Sequence, residues 1–218
     1  MNTLFQRFAL PALAVVLLLS GWMLYVRATK PTLESGASDS SSLPQEHHHA
    51  TSEDHKKCAA RLAGKPLPPL PLRGVDNQVV NVIQASMERP VIVVRYLGYS
   101  CSHCIQQLLM LKEHTQALRA SGVRVIAFSE DSRDDNEMVI KKYGFDPTVF
   151  IFASDAGNFA AKELGGVYKE NDGSETELHI TLIVRQGVVT FAHFDTKPMM
   201  DIILLLQSAS VAPLREAL

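Results

Sequence analysis

The sequence has only three cysteines, Cys58, Cys101 and Cys104, in 218 residues. That is too few for a disulfide scaffold, so a fold of this length must rest on a hydrophobic core. Cys101 and Cys104 form a Cys-x-x-Cys, and no second one accompanies it. A four-cysteine zinc site is therefore missing from the pattern. Ile105 stands where a c-type haem attachment needs histidine. No motif calls for a cofactor, and none is expected. Charge of one sign is lacking as well. The net charge is -2, and Arg7, Arg27 and Lys30 are the only charges among the first thirty residues. The remainder carries eighteen bases against twenty-three acids. A mildly acidic chain without a basic stripe points away from a nucleic-acid partner. What is present, 46% hydrophobic and 20% charged residues, fits a globular domain.

Phe8 to Val26 is an uncharged run of 19 residues. As a helix it would extend about 28 Å at roughly 1.5 Å per residue, close to a bilayer core of about 30 Å. Trp22 and Tyr25 suit an interfacial belt. A cleaved signal peptide would have a shorter apolar region and an A-x-A-like site, for which Val26-Arg27-Ala28 is a poor match. The expectation is an N-terminal membrane anchor over residues 1–30, with a signal peptide as the rival. Positive charges flank both sides of the run, so they barely bias its orientation. A short amino-terminal tail before a linker and a domain favours an extracytoplasmic, periplasmic placement of the domain.

Residues 31–63 read as a polar linker rich in Ser and His, running into a short surface helix. The stretch from Ser35 to Ser42 cannot bury enough apolar surface to order itself. His47, His48, His49, His55 and Cys58 are weak candidates for metal ligands. His55 and Cys58 are three apart, a spacing that puts two ligands on one helical face. The competing reading is a solvated polar tract with a free thiol.

The domain is expected over residues 64–218. Prolines from Pro66 to Pro71 enforce an extended entry. A turn follows at Gly74 to Asn77, and then the β-formers Val79, Val80 and Val82. Val91 to Tyr96 is a short apolar, β-branched run that reads as a buried strand. An amphipathic helix carries Ile105, Leu108, Leu109, Leu111 and Leu118 and stops near Gly122. A strand over 123–128, a helix over 132–143 and a short strand over 148–152 come next. A short helix then ends at Gly165-Gly166, followed by a hairpin over 179–193. A closing helix over 198–207 has Pro at its start. This order predicts a mixed sheet with helices on both faces.

Cys101-Ser102-His103-Cys104 falls after a strand and at the start of a helix. Unpaired N–H groups and partial positive charge there stabilise a thiolate. Cys101 is the expected nucleophile. Cys104, one turn later, can resolve a mixed disulfide by attacking it. His103 between them can add positive charge and favour the thiolate. A zinc site and a structural disulfide are the competing readings of the pair.

The segment Tyr96-Leu97-Gly98-Tyr99-Ser100-Cys101-Ser102-His103-Cys104 resembles the active-site segment of the alkyl hydroperoxide reductase/thiol-specific antioxidant family of peroxiredoxin-like redoxins. Val125 to Asp131 is similar to that family's second core strand, and His179 to Val189 to its late hairpin. The resemblance covers about residues 64 to 208. It implies a thioredoxin-like fold, a redox-active Cys101–Cys104 disulfide and partners that are protein or small-molecule thiols, disulfides or peroxides. Two departures stand out. Peroxiredoxins carry Thr or Ser three residues before the peroxidatic cysteine, where this chain has Gly98. Thioredoxins carry a cis-proline before the late strand, where this chain has Ile180 before Thr181. Arg95 and Thr181 are candidate substrate-binding residues, and Arg185 and His179 are further candidates near the pair. The function expected is membrane-anchored thiol–disulfide exchange. A thiol peroxidase is the first alternative and a metal-binding or metal-delivery protein the second.

Overall fold

The computed structural model describes residues 52–170 and 173–210. The expected anchor over residues 1–30, the linker up to residue 51 and the His47 to His49 tract lie outside the described residues. Among the described residues no helix is long and apolar enough to cross a membrane.

The elements in chain order are α1 (Ser52–Leu62), β1 (Leu72–Gly74), β2 (Val79–Val80), α2 (Val82–Glu88), β3 (Val91–Arg95), α3 (Ser102–Glu113) and α4 (Thr115–Ala120). There follow β4 (Arg124–Ser129), α5 (Arg133–Tyr143), β5 (Phe150–Ser154), a short 3₁₀ turn (Ala156–Asn158) and α6 (Phe159–Leu164). The last are β6 (Val167–Lys169), β7 (Glu175–Glu177), β8 (His179–Arg185), β9 (Val188–Asp195) and α7 (Ile202–Ser210). Seven strands form one sheet in the order β2-β1-β5-β4-β3-β8-β9, and β6 pairs with β7 separately. The β3–β4 and β4–β5 pairs are parallel; β8 and β9 add antiparallel at one side and β1 at the other. This is the mixed α/β, thioredoxin-like arrangement that the element order predicts.

β3 lies inside the sheet and is buried on both faces, which explains its unbroken run of β-branched residues. Strand alternation sorts its side chains into two cores. Ile92, Val94 and Tyr96 face α3, α5 and α7, together with Ile105, Leu108, Val139, Ile202 and Leu205. Val91 and Val93 face the other way, with Leu62, Val82, Ala160 and Leu164 from α1, α2 and α6. Each fully buried aliphatic side chain in these cores contributes roughly 1.5–3 kcal/mol.

Several elements differ from the sequence reading. Val82 opens a helix rather than extending a strand, because the Asn81 side chain caps it by accepting from Gln84 N–H at 3.0 Å. The long helix expected up to Gly122 divides into α3 and α4 at His114. α5 starts one residue later than expected, with Ser132 as its cap and Gly144 in the left-handed conformation at its end. The closing helix begins at Ile202, not Pro198, so proline does not open it. The short helix expected at the end of the linker span is Ser52–Leu62, and it is not confined to the surface, since Leu62 joins the core. The β6–β7 ribbon has no counterpart in the sequence reading.

Candidate redox site

The chain leaves β3 at Arg95 and turns into α3 through Leu97 to Ser100. Gly98 has φ +107°, a conformation that side chains other than glycine's rarely adopt. A Cβ there would also meet Asp131 Oδ1 at 2.9 Å. The same carboxylate accepts a hydrogen bond from Tyr99 N–H at 2.7 Å. Asp131, just beyond β4, therefore fastens the cysteine loop.

Cys101 is the N-cap of α3, and its sulfur accepts from Cys104 N–H at 3.3 Å. No acidic residue occupies the first turn of α3 to oppose a thiolate. Cys101 and Cys104 are joined as a disulfide, with Cα atoms 5.3 Å apart. Cys101 is half-buried and Cys104 fully buried, so an incoming sulfur or peroxide meets Cys101 first. Cys104 Sγ also accepts from Leu97 N–H at 3.3 Å.

The third member of the cluster comes from β8. His179 Nε2 lies 3.0 Å from Cys104 Sγ and 3.8 Å from Cys101 Sγ. Sheet order explains the approach. β8 pairs directly with β3, with Ile180 opposite Arg95, so His179 sits at the end of β3 that feeds the cysteine loop. Burial is the main cause of a pKa below the ordinary histidine value, and Arg95 adds to it. The nearby backbone of Asp195 and Thr196 opposes the shift. Even so, His179 Nδ1 is buried without a well-formed hydrogen bond. A neutral imidazole beside two sulfurs can accept and return a proton.

Among the candidates named from sequence, His103 is exposed on α3, and the cluster around the sulfurs contains His179 instead. Thr181 is buried, and its hydroxyl accepts from Gln107 Nε2 at 3.1 Å. Gln107 also donates to Met199 O at 2.9 Å, so it ties α3 both to Thr181 on β8 and to the segment before α7. Arg95 lies on the sheet face opposite α3, alternating with Val94 and Tyr96. Its guanidinium donates to Leu178 O, Asn158 Oδ1 and Glu177 Oε2. Three hydrogen bonds hold the head of this buried side chain on that face, away from the sulfurs, while its Nε is buried without a partner. Arg185 donates to the Ser208 and Ala209 carbonyls and so caps α7. His55 is buried on α1, and Cys58 Sγ points at Gly165 O at 3.6 Å. Neither belongs to the three-ligand cluster of the described residues. An acidic cavity of about 420 Å³ lies beside the cysteine loop, lined by Leu97, Gly98, Glu130, Asp131, Asp135 and Glu177 among others.

His179 is the residue that sequence reasoning underrated. A histidine opening an otherwise apolar strand was a usable signal, but only the β3–β8 pairing gives it meaning.

The fold and the family comparison define a peroxiredoxin-like redoxin, a thiol-dependent oxidoreductase of the thioredoxin-like fold. The model of the AhpC/TSA family matches residues 63–192, and the chain belongs to that family. No curated protein matches the chain. Solved structures with a similar fold include the peroxidoxin BcpB from Mycobacterium tuberculosis. It shares 13% identity, covers 68% of this chain and 96% of its own, and superposes with a TM-score of 0.60. Peroxiredoxin Q from Xanthomonas campestris shares 18% identity, with 70% and 96% coverage and a TM-score of 0.58. Reduced Prx3 from Vibrio vulnificus, in complex with hydrogen peroxide, shares 16% identity, with 66% and 97% coverage and a TM-score of 0.56.

Proposed function

We propose that the protein exchanges dithiols for disulfides through Cys101 and Cys104, with His179 managing the proton on Cys104. The observation that carries this reading is the 3.0 Å approach of His179 Nε2 to the buried Cys104 sulfur. The reduced Cys101 thiolate attacks a substrate disulfide, forms a mixed disulfide and expels one substrate thiolate. Cys104 passes its proton to His179 Nε2, attacks the Cys101 sulfur and releases the second substrate thiolate. His179 returns the proton to a leaving thiolate. One disulfide has been reduced to two thiols, the second proton being the one Cys101 gave to solvent when it became a thiolate, and the Cys101–Cys104 disulfide has formed. The reverse sequence oxidises a dithiol.

Peroxide reduction is the second reading, supported by membership of the AhpC/TSA family. The Cys101 thiolate would attack one peroxide oxygen and become a sulfenic acid as the O–O bond breaks and the other oxygen leaves as hydroxide or alkoxide. Cys104 would then condense with it, releasing water and forming the disulfide. Gly98 weighs against this reading, since its conformation admits no hydroxyl-bearing side chain at that point of the loop.

Thiol trapping of the full-length reduced protein with glutathione disulfide tests the first reading. Cys104→Ser should accumulate a mixed disulfide at Cys101, and Cys101→Ser should form none. Failure of Cys101 to exchange would overturn it. A rate with hydrogen peroxide no faster than that of a free thiol would sink the second.

The reading includes attachment to a membrane through Phe8 to Val26 with the domain on the extracytoplasmic side, supported by the uncharged 19-residue run. Recovery of the full-length protein in the soluble fraction after cell lysis would overturn the attachment.

A further inference from the structure

Two sulfurs and an imidazole converge at the start of α3. The ligand atoms of Cys101, Cys104 and His179 all lie within 4.8 Å of one another. Among the described residues no further His, Cys, Asp or Glu joins the group. Cys104 and His179 are buried and Cys101 is half-buried. His179 directs Nε2 towards both sulfurs, while Nδ1 lies among backbone groups of Asp195 and Thr196. The nitrogen near the sulfurs is therefore free to offer a lone pair when Nδ1 carries the proton.

This donor set has a definite preference. Soft thiolates suit copper(I) and zinc(II) and disfavour hard ions such as magnesium and calcium. Zinc(II) takes four ligands, so it would need a water beyond the three protein donors of the described residues, at a site where Cys104 and His179 are buried. Copper(I) needs no ligand beyond these three. While the cysteines are bonded to each other, neither sulfur is a thiolate, and the donor set is incomplete.

We infer that the reduced form of this site binds one copper(I) ion through the thiolates of Cys101 and Cys104 and Nε2 of His179, and that forming the disulfide releases it. The inference rests on the reading of Cys101–Cys104 as a pair that cycles. Binding changes no oxidation state, because the dithiol gives up two protons and the ion takes their place. Release occurs when an acceptor disulfide takes two electrons from the thiolates and becomes two thiolates that solvent protonates, while the copper leaves as copper(I). Metal holding and thiol exchange then exclude each other, since the ion occupies the nucleophile.

The test uses the full-length protein in detergent, with His47, His48 and His49 replaced by Ala so that the tract contributes nothing. The reduced protein is titrated with copper(I) in the absence of oxygen against the chelator bathocuproine disulfonate. One copper per chain should be withdrawn from the chelator, and X-ray absorption should report two sulfur neighbours and one nitrogen. The disulfide form of the same protein should withdraw none, which serves as a control with the fold intact. Cys104→Ser should abolish retention. His179→Ala should weaken it by about tenfold or more, since an inner ligand costs no less than an outer-shell partner, and the nitrogen neighbour should vanish. Cys58→Ser should change nothing. Retention unaffected by Cys104→Ser, retention of zinc(II) but not copper(I), or no retention by a fully reduced sample would each overturn the inference. Thiol exchange with glutathione disulfide, measured on the same sample, separates this failure from failure of the redox reading.

Discussion

Two helices of this protein place a cysteine three residues after an imidazole or another sulfur, His55–Cys58 in α1 and Cys101–Cys104 at α3, in different surroundings. In α1, Cys58 lies well inside the helix, three residues after the buried His55. Its pKa is raised, with burial the main cause and Arg61 opposing. The helix start, where N–H groups are free, is two turns away. In α3, Cys101 is the cap itself, Cys104 follows one turn later, and β8 delivers His179 to both. Equal spacing therefore says little. Position relative to the helix start, and what the neighbouring strand brings, decide whether a cysteine is inert or reactive.

Substitution of the cysteines is the most direct way to break this comparison. Cys101→Ser should reduce exchange with glutathione disulfide to background, while Cys58→Ser should leave the rate within about twofold, since a thiol outside the helix start gains little reactivity. Equal losses in the two variants would erase the distinction. Next in size, His179→Ala should slow resolution of the mixed disulfide by about 100-fold, the low end of what a positioned acid–base group supplies. His103→Ala should leave that step nearly unchanged, and stopped-flow trapping of the mixed disulfide measures both. Gly98→Ala should cost about 1–2 kcal/mol in urea unfolding, because alanine is strained at positive φ and its Cβ would press on Asp131.

The smallest effect is a dependence on pH. His179 and His193 both have pKa values below the ordinary 6.5, burial being the main cause in each. The unfolded chain then binds protons that the folded chain refuses. Stability is fully present above about pH 6.5 and falls as pH drops through the depressed values. Urea midpoints between pH 7.5 and pH 5 should show this fall, and His193→Gln should reduce its slope. A midpoint that rises on acidification would contradict the assignment.

Much of the fold was legible because period and punctuation agree. Val91 to Arg95 reads as a buried strand from its branched residues alone, and Gly144 ends α5 where a left-handed residue is needed. The cysteine pair was legible for the same reason, since a turn separates β3 from α3. Long-range pairing was not. His103 is adjacent to the cysteines in sequence but exposed, whereas His179 is 75 residues from Cys104 and in contact with it. Arg95 looked available because it ends a strand. Alternation turns it to the other face, where Glu177 and Asn158 from later elements hold it. The start of α2 was missed because three valines outweigh one capping asparagine in any propensity count.

The distance in sequence between Cys104 and His179 also orders events in time. A chain made from its amino end displays both thiols long before β8 has been synthesised and paired with β3. Throughout that interval the cysteines lack their imidazole partner. Completion of the β3–β8 ladder is therefore the step that brings the imidazole to the two sulfurs.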